Sequence, residues 1–308
     1  MSVIAVSNLH KSFGPVHAVK GISFTVKAGE IFTIIGPNGA GKTTTLEMIE
    51  GLLQPDQGNV QLLGLSWSSH AEKLKERIGV QLQTSAMFDL LTVEEHLDVF
   101  RSFYKRKRPV SDIMKLVNLQ EQRKQRVKGL SGGQKQRLAI GLALINDPEV
   151  IFLDEPTTGL DPQARRNIWE IILNLKELGK TVILTTHYME EAERLSSRVC
   201  IVDQGQVVAL DTAKALIQQI STEREISIQG SIVEHVQDMA VFANKINSVK
   251  RVETDGIEMQ LLSTSPEQTL LELFHYTTEC GYKVEQINIR DWSLEDVFIA
   301  LTGKEWRD

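Results

Sequence analysis

Apolar residues along the chain form short continuous runs that alternate with amphipathic segments. The runs IFTII (Ile31 to Ile35), IGVQL, VIFL and TVILT are rich in β-branched residues, and each ends at polar residues. Such runs are typical of strands buried on both faces of a parallel sheet. The segments between them have helical periodicity, and strands that alternate with helices predict a sheet covered on both faces. The pattern therefore predicts an α/β fold for the first part of the chain.

Helix signals are clear in the segments between the strands. Thr92 and Glu95 form a predicted capping box before HLDVFRSFY. Asp161 and Gly179 bracket QARRNIWEIILNLKEL as the N-cap and the C-terminal stop of a second helix. Residues 84–146 show helix signals and no strand pattern. We therefore predict a separate helical lobe over about 84–146, inserted between two strands of the core.

The pattern changes after Gln219. REISIQ, VKRVETDGIEMQLL and KVEQINI have strand character, with a hairpin around Asp255 and Gly256, whereas VEHVQDMAVFANKI and PEQTLLELFHYTTECG have helical character. The order β-α-β-β-α-β is that of a split βαβ, ferredoxin-like unit, and SLEDVFIAL adds a terminal helix. We therefore expect two domains, residues 1–220 and a small α+β accessory domain over residues 221–308.

Composition narrows the class of protein. The 308 residues are 42% hydrophobic and 24% charged, with a formal net charge of −6, so the chain lacks the basic signature of nucleic-acid-binding proteins. No apolar run approaches the roughly 18 residues that cross a bilayer, and MSVIAVSNLHK lacks the features of a signal peptide. The two cysteines, Cys200 and Cys280, are too few for a zinc site. We expect a soluble protein that is not secreted and binds no nucleic acid.

The stretch GPNGAGKT fits the phosphate-loop pattern and stands where that pattern is required, after a buried strand and at the start of a helix. Its glycines let backbone N–H groups face the β- and γ-phosphates of a nucleotide, beside the positive end of the helix dipole. Lys42 neutralises phosphate charge, and the Thr43 hydroxyl is a ligand for Mg²⁺. The predicted nucleotide-binding residues of this loop are Gly36, Pro37, Asn38, Gly39, Ala40, Gly41, Lys42, Thr43 and Thr44.

Polar residues also follow the other buried strands. VIFLDEP ends in Asp154, a candidate metal ligand, and Glu155, a candidate general base for a water aimed at the γ-phosphate. Gln83 follows IGVQL and His187 follows TVILTT. A lone Gln or His at a strand end is more often a satisfied polar group. The carboxyl ends of parallel strands meet at one edge, however, so we expect Gln83 to hold water or Mg²⁺ and His187 to contact the γ-phosphate.

A second glycine motif, LSGGQ, begins at Leu130. Ser131 and Gln134 form a predicted capping box, and the backbone N–H groups of Gly132 and Gly133 then make an anion site at a helix N-terminus. This helix opens in the predicted lobe. We therefore do not expect it to serve the chain's own phosphate loop.

These motifs, in this order and together with GLD and TTH, resemble the nucleotide-binding subunit of ABC transporters over about Val3 to Gln219. The resemblance implies a P-loop NTPase core with a mixed or parallel sheet, an N-terminal antiparallel β-subdomain and the helical lobe. By that similarity Phe13 in KSFG is the aromatic residue that stacks on adenine. Gln83 rather than Gln81 is then the switch glutamine of the family.

The resemblance further implies that two subunits pack head to tail. Each ATP then lies between Lys42 of one chain and Ser131 and Gly133 of the other, with Gly132 and Gln134 in the same segment. Asp161 matches the aspartate that bridges to the second subunit. The partner is expected to be a second copy of this chain, or a related ATP-binding subunit.

The implied reaction is ATP hydrolysis by in-line attack of water on the γ-phosphate, with Glu155 as the base. The expected cofactor is Mg²⁺, held by Thr43, Asp154 and Gln83. Lys42, His187 and the signature helix of the partner, which is the helix that begins at LSGGQ, are expected to stabilise the charge that develops on the γ-phosphoryl group.

An ATPase of this kind drives integral membrane permease subunits, which implies a peripheral place at the cytoplasmic face of the cell membrane. The ending LEDVFIALTGKEW resembles drug- and lipid-exporter-like members with separate permease chains, which implies export of a drug, lipid or other hydrophobic compound. The segment TSAMFDLLTVEEHL, with Met87 and Phe88, is either the docking surface for a permease helix or a loop in the lobe's own core.

Two other functions stay open at this stage. One is an ABC-type ATPase that moves no solute and acts on a protein or nucleic-acid complex, although the insert is too short for the coiled coil of repair members. The other is a regulatory ATP-binding module whose C-terminal domain senses a ligand. The basic run YKRKR, Tyr104 to Arg108, is interpreted as a solvated segment rather than a nucleic-acid or headgroup site.

Overall fold

The computed structural model describes residues 2–81, 87–220, 223–230, 235–255 and 258–303. The chain separates into two compact units, one of Met1–Lys214 with Leu301–Asp308 and one of Ala215–Ala300. Helix α8 (Ala213–Ile220) carries the chain across this division. The domain assignment with a division at 220 stays a prediction. In the described part of the chain, no helix is long and apolar enough to cross a membrane.

The described residues of the first unit are built on a sheet of six strands. In order across the sheet they are β5 (Ile78–Gln81), β6 (Val150–Asp154), β7 (Thr181–Thr186), β3 (Ile31–Ile35), β8 (Arg198–Asp203) and β9 (Gln206–Asp211). All neighbours run parallel except β8 and β9, so the sheet is mixed. Every residue of β3, β6 and β7 is buried, which confirms the interpretation of the apolar runs.

A second sheet in this unit is antiparallel and confirms the expected N-terminal β-subdomain. Its order is β2 (Val16–Lys27), β1 (Ser2–Phe13) and β4 (Gln57–Leu62). Its apolar face shares a core with β3 and with α1 (Lys42–Glu50), and the Phe24 ring stacks on Phe32 with centroids 4.9 Å apart. Helix α2 (Trp67–Lys75) follows β4. This shared core fixes α1, and hence the phosphate loop before it, against the central sheet.

Between β5 and β6 the described residues form helices and no strand. They are α3 (Val93–Arg101), α4 (Val110–Leu116), a 3₁₀ turn (Val127–Gly129) and α5 (Gly132–Ala143). Both predicted capping boxes are confirmed, at Thr92 with Glu95 and at Ser131 with Gln134. Helices α6 (Pro162–Glu177) and α7 (Met189–Leu195) follow β6 and β7. The lobe shares one apolar core with α6 and the sheet.

The basic run after α3 pairs with Asp147, a residue of the connection between α5 and β6. Arg106 lies 2.5 Å, and Arg108 and Lys180 each lie 2.7 Å, from its carboxylate oxygens. Burial alone would raise the pKa of Asp147, but hydrogen bonds from these three cations hold it well below its usual range. The run YKRKR therefore ties the lobe to the core.

The second unit has the element order predicted from the sequence. It contains β10 (Arg224–Gly230), α9 (Val236–Ala243), β11 (Val249–Thr254), β12 (Met259–Ser263), α10 (Pro266–Cys280), β13 (Val284–Arg290) and α11 (Leu294–Thr302). The strands pair antiparallel in the order β11-β12-β10-β13, which confirms the ferredoxin-like arrangement. Ile226 and Leu261 face Met239 and Leu273 in its core. Gly256, in the predicted hairpin turn, lies outside the described residues.

Candidate active site

The phosphate loop joins the end of β3 to the start of α1. Gly41 precedes the helix with φ 97°, in the left-handed region that favours glycine, and no side chain caps the helix. At Gly36 a Cβ atom would lie 2.2 Å from the carbonyl oxygen of Val202, so only glycine fits there. The first N–H groups of an uncapped helix have no intrahelical partner. The loop therefore presents backbone donors and a dipole end to an anion.

Lys42 is the first residue of α1, and its side chain folds back over the loop. Its Nζ atom donates to the carbonyl oxygens of Gly36 at 2.8 Å and Pro37 at 3.2 Å and lies 3.8 Å from the carboxylate of Glu155. The side chain is 5% exposed. Burial lowers the pKa of Lys42, and the charge of Glu155 opposes that change. The ammonium is thus held among oxygen atoms at the mouth of the loop.

Asp154 is the last residue of β6 and faces α1. Its Oδ1 atom accepts hydrogen bonds from the hydroxyl groups of Thr43, at 3.3 Å, and Thr185. Burial raises the pKa of Asp154, while these two hydroxyl groups oppose the rise. The structure therefore places two oxygen atoms, one of the Thr43 hydroxyl and one of the Asp154 carboxylate, side by side.

Glu155 turns sharply at the end of the strand. Its φ is 46°, in a region that is costly for a residue with a side chain, and its N–H group donates to the hydroxyl of Thr185 at 3.0 Å. One carboxylate oxygen lies 3.4 Å from Nδ1 of His187, and the same oxygen accepts from the Thr158 hydroxyl at 3.1 Å. The strained turn aims the carboxylate between Lys42 and His187.

The sequence assigned the role of switch glutamine to Gln83 rather than Gln81. Gln83 lies outside the described residues, so its predicted role stays a prediction. Gln81 is the last residue of β5, is 2% exposed, and donates from Nε2 to the carbonyl oxygen of Asp154 at 3.5 Å. It therefore supports the end of the neighbouring strand from inside the sheet.

Phe13 lies at the end of β1 with half of its surface exposed. Its fractional exposure is 50%, and the ammonium of Lys11 lies 5.8 Å from the ring centroid. Lys11 in turn pairs with Asp56 at 2.8 Å. An exposed aromatic face held at the end of a strand is suited to stack on a nucleobase.

The signature segment LSGGQ lies in a different part of the unit. Helix α5 packs against α3, α4, α6 and β5, whereas α1 packs against β1, β2, β4, β6 and β7. Ser131 and Gly132 are exposed. A Cβ atom on Gly133 would lie 2.8 Å from that of Ala164 in α6, so this glycine is also required by helix packing within the chain. Asp161 caps α6 by accepting from Ala164 N–H at 2.9 Å.

Sequence reasoning missed two residues that position this site. Thr185 donates its hydroxyl to Asp154 and accepts from the N–H of Glu155. Glu191, in α7, is fully buried and accepts from the Thr157 hydroxyl at 2.9 Å and the indole of Trp169 at 2.8 Å. Glu191 precedes the apolar Leu195 by about one helical turn, so the two share a face of α7, and this spacing was a signal that the carboxylate faces inward.

Glu50, the last residue of α1, is a third buried carboxyl group that the sequence did not single out. It is 3% exposed, and its Oε1 atom has no hydrogen-bond partner in the described part of the chain. Burial, followed by the negative charges of Asp154 and Glu47, raises the pKa of Glu50 from 4.5 to about 8. At neutral pH the folded chain therefore keeps this group protonated.

The raised pKa of Glu50 predicts a loss of stability with rising pH. Below its ordinary pKa of 4.5 the group is protonated in both states; between 4.5 and about 8 only the folded state holds the proton. The free energy of unfolding then falls by at most about 1.4 kcal/mol per pH unit. In Glu50→Gln we expect the Tm to decline less between pH 5 and 8 than in the unsubstituted chain. Glu177→Gln, at the exposed end of α6, is the control; parallel Tm curves for Glu50→Gln and the unsubstituted chain would contradict the assignment.

The fold and the site together define an ATP-hydrolysing P-loop cassette. Comparisons of the chain with known proteins lead to the same class. A family profile described as ABC transporter matches residues 19–158. Nod factor export ATP-binding protein I of Ralstonia nicotianae is 36% identical and covers 99% of this chain and 95% of its own length. Linearmycin resistance ATP-binding protein LnrL of Bacillus subtilis is 34% identical over 99% of this chain and 100% of its own length. The chain belongs to the ABC transporter family of ATP-binding subunits.

Solved structures lead to the same family. The dimeric bacterial ABC transporter cassette MJ0796 is 29% identical, covers 68% of this chain and 98% of its own length, and superposes with a TM-score of 0.62. The same cassette in a post-hydrolysis state, bound to ADP and Pi, superposes with a TM-score of 0.61 at 28% identity over 68% of this chain. The chain is an ATPase subunit, as its sequence predicts.

Proposed function

We propose that this chain is the ATP-hydrolysing subunit of an exporter and works as a head-to-tail homodimer bound to a membrane permease. The observation that carries the proposal is the convergence of Lys42, Asp154, Glu155 and His187 around one loop at the carboxyl ends of β3, β6 and β7. ATP is bound by the phosphate loop, with its adenine stacked on Phe13.

The residues beside the loop fit Mg²⁺. The Thr43 hydroxyl and the Asp154 carboxylate are hard oxygen ligands whose atoms lie 3.3 Å apart. The described residues contain no group of three or more acidic, His or Cys side chains able to hold a metal on their own. Mg²⁺ prefers this arrangement, in which one or two protein ligands leave the remaining positions to water and phosphate. When bound it would neutralise charge on the phosphates; Gln83 is the third proposed ligand.

Glu155 is the proposed general base. As the water oxygen forms its bond to the γ-phosphorus, the carboxylate takes the water proton and the bond to the bridging oxygen of ADP breaks, releasing ADP and phosphate. Lys42 and His187 flank this carboxylate and are placed to stabilise charge on the phosphoryl oxygens. The strained backbone at Glu155 supports this role, because such strain collects at functional sites.

Ser131 and Gly133 are proposed to complete the site of a second copy. The helix they open has neighbours different from those of α1, and its first residues are exposed. A capped helix start with exposed N–H groups binds an anion, here the γ-phosphate held by the partner chain. The dimeric state of the MJ0796 cassette supports a pairing of this kind. Asp161 is proposed to bridge to the second copy.

The surface for the permease is proposed to be an exposed apolar patch on the lobe. This docking patch consists of Phe88, Leu90, Val99 and Phe103, which are 55%, 70%, 38% and 71% exposed. Apolar side chains grouped on a surface mark an interaction site, and the half-buried Phe100 joins Phe88 to Phe103. Binding here would hold the chain at the cytoplasmic face of the membrane.

The direction of transport and the class of cargo rest on relatives. Their names assign one group to Nod factor export and another to linearmycin resistance, and both kinds align with this chain nearly end to end. These names support transport over an ABC ATPase that moves no solute. We propose export of a hydrophobic or lipid-like compound for this chain.

Leu90→Asp tests permease binding. Leu90 is 70% exposed, so the change removes no core contact but would place a charge in an apolar interface. We expect at least a roughly 10-fold loss of affinity for the proposed permease partner, measured by co-purification in detergent, with ATP binding retained. Leu178→Asp, 48% exposed at the end of α6, is the matched control. Equal permease binding by both variants would exclude the docking patch.

A further inference from the structure

A fully buried histidine lies beneath the docking patch. His96, in α3, is 0% exposed, and neither ring nitrogen has a hydrogen-bond partner within the described residues. Its neighbours are aromatic: the ring centroid of Phe88 lies 5.6 Å away and that of Phe100 lies 5.2 Å away. A buried polar side chain without a partner is uncommon and needs a reason.

The surroundings of His96 hold the ring neutral. Burial lowers the pKa of His96, and among the described residues no charged group opposes the change. A neutral imidazole has one N–H donor and one nitrogen acceptor. Within the described residues neither group is paired, although an apolar side chain of similar size would fill this place without that loss. Packing alone therefore does not account for a histidine here.

Phe88 contacts His96 and also lines a depression on the surface. The Phe88 side chain is 55% exposed and, together with Asp89, Leu90, Leu91 and Val99, lines an open depression of about 600 Å³. Exposed side chains change rotamer on the nanosecond timescale or faster. A turn of the Phe88 ring toward solvent would open a path from the depression to the imidazole.

We propose that the permease segment that binds the docking patch carries a hydrogen-bonding side chain, with an oxygen acceptor, that displaces the Phe88 ring and pairs with His96. The proposal rests on the permease docking proposed above. Asp89 lines the depression and is exposed, and its negative charge favours a basic residue beside that acceptor. The occupant is thus an amphipathic permease helix with an apolar face, a central oxygen acceptor and a flanking Lys or Arg.

This pairing explains how binding is made specific. Apolar contacts with Phe88, Leu90 and Phe103 would accept many amphipathic helices. A helix without the acceptor would leave His96 unpaired and would gain less on binding, so the buried polar group selects among permeases. His96 therefore acts as a specificity-determining residue at the interface.

His96→Leu and His96→Gln test the proposal in the full-length chain. His96→Leu removes the unpaired nitrogens, so we expect the Tm of the isolated chain to stay level or rise, while the Kd for the permease in detergent rises about 10-fold. His96→Gln keeps a side-chain donor, so we expect its Kd to stay within about threefold of that of the unsubstituted chain. A Tm that stays level or rises together with weaker permease binding is a result that a purely structural histidine would not give.

The possible results distinguish the pairing of His96 from the docking of the permease on which it rests. If Leu90→Asp loses permease binding but His96→Leu binds as tightly as the unsubstituted chain, the docking patch stands and the pairing with His96 is overturned. If Leu90→Asp binds normally, docking at this patch is overturned first. If His96→Leu unfolds, the ¹⁵N shifts of the imidazole of the unsubstituted chain decide: no change on adding permease overturns the pairing.

Discussion

Glu155→Gln is expected to reduce ATP hydrolysis by about 10² to 10⁴-fold while leaving ATP binding intact. The amide keeps the size of the carboxylate and can still accept from the Thr158 hydroxyl, but it cannot take a proton from water. Because removal of the negative charge also lessens repulsion of the γ-phosphate, ATP should remain trapped between two chains. Phosphate release measures the first effect, and light scattering with ATP measures the accumulated dimer.

Glu190→Gln is the control for this experiment. Glu190 is an exposed acid in α7, close in sequence to His187 but turned toward solvent. We expect it to hydrolyse ATP at the unsubstituted rate. A Glu155→Gln chain that kept most of its turnover would show that another group accepts the proton.

Ser131→Arg is expected to abolish turnover and ATP-dependent dimerisation while the monomer still binds ATP. The side chain of Ser131 is exposed at the start of α5, so a bulky residue there is tolerated by the isolated chain but occupies the place of the γ-phosphate that a second chain would present. Since α5 and the phosphate loop lie in different parts of the unit, ATP binding by Lys42 and its neighbours should be spared. Equilibrium binding of a labelled ATP analogue and light scattering measure the two effects.

Two further experiments test whether the effect of Ser131→Arg arises at the shared site. Ser131→Ala loses the hydroxyl and with it the cap, which costs about 1 kcal/mol of stability, but it keeps the backbone N–H groups of Gly132 and Gly133 and should retain part of its turnover. Mixing Ser131→Arg with Lys42→Ala should recover part of the activity, because such a mixed dimer contains one complete site. Normal hydrolysis by Ser131→Arg alone, with only monomer present, would contradict a site shared between chains.

The sequence predicted the central sheet and much of the site because both depend on local signals. The buried strands β3, β6 and β7 are continuous apolar runs, and the residues that follow them carry the polar groups. Since parallel strands bring their carboxyl ends to one edge, Lys42, Asp154, Glu155 and His187 could be brought together from order alone. The two capping boxes were equally local, a residue and its third neighbour.

Residues whose roles depend on distant parts of the chain could not be predicted in this way. Glu50 looks like an ordinary end of an amphipathic helix, and only tertiary packing buries it within reach of the charge of Asp154. Gly133 was assigned to anion binding, whereas the structure adds that Ala164 in another helix leaves no room for a side chain there. His96 gave no signal because its aromatic neighbours come from both the helix and the preceding loop. The role of Gln83 stays a prediction.

The cations around Asp147 give the lobe a mechanical property. Helix α5 ends at Ala143, just before this anchored connection, and begins next to Ser131. The helix is about 18 Å long and places the signature serine at its exposed start, at the far end from the ion-paired connection. A rotation of the lobe by about 10° about that connection would displace this start by roughly 3 Å, comparable to a hydrogen-bond length. A small rotation of the lobe is therefore enough to engage or release a phosphate group at this start.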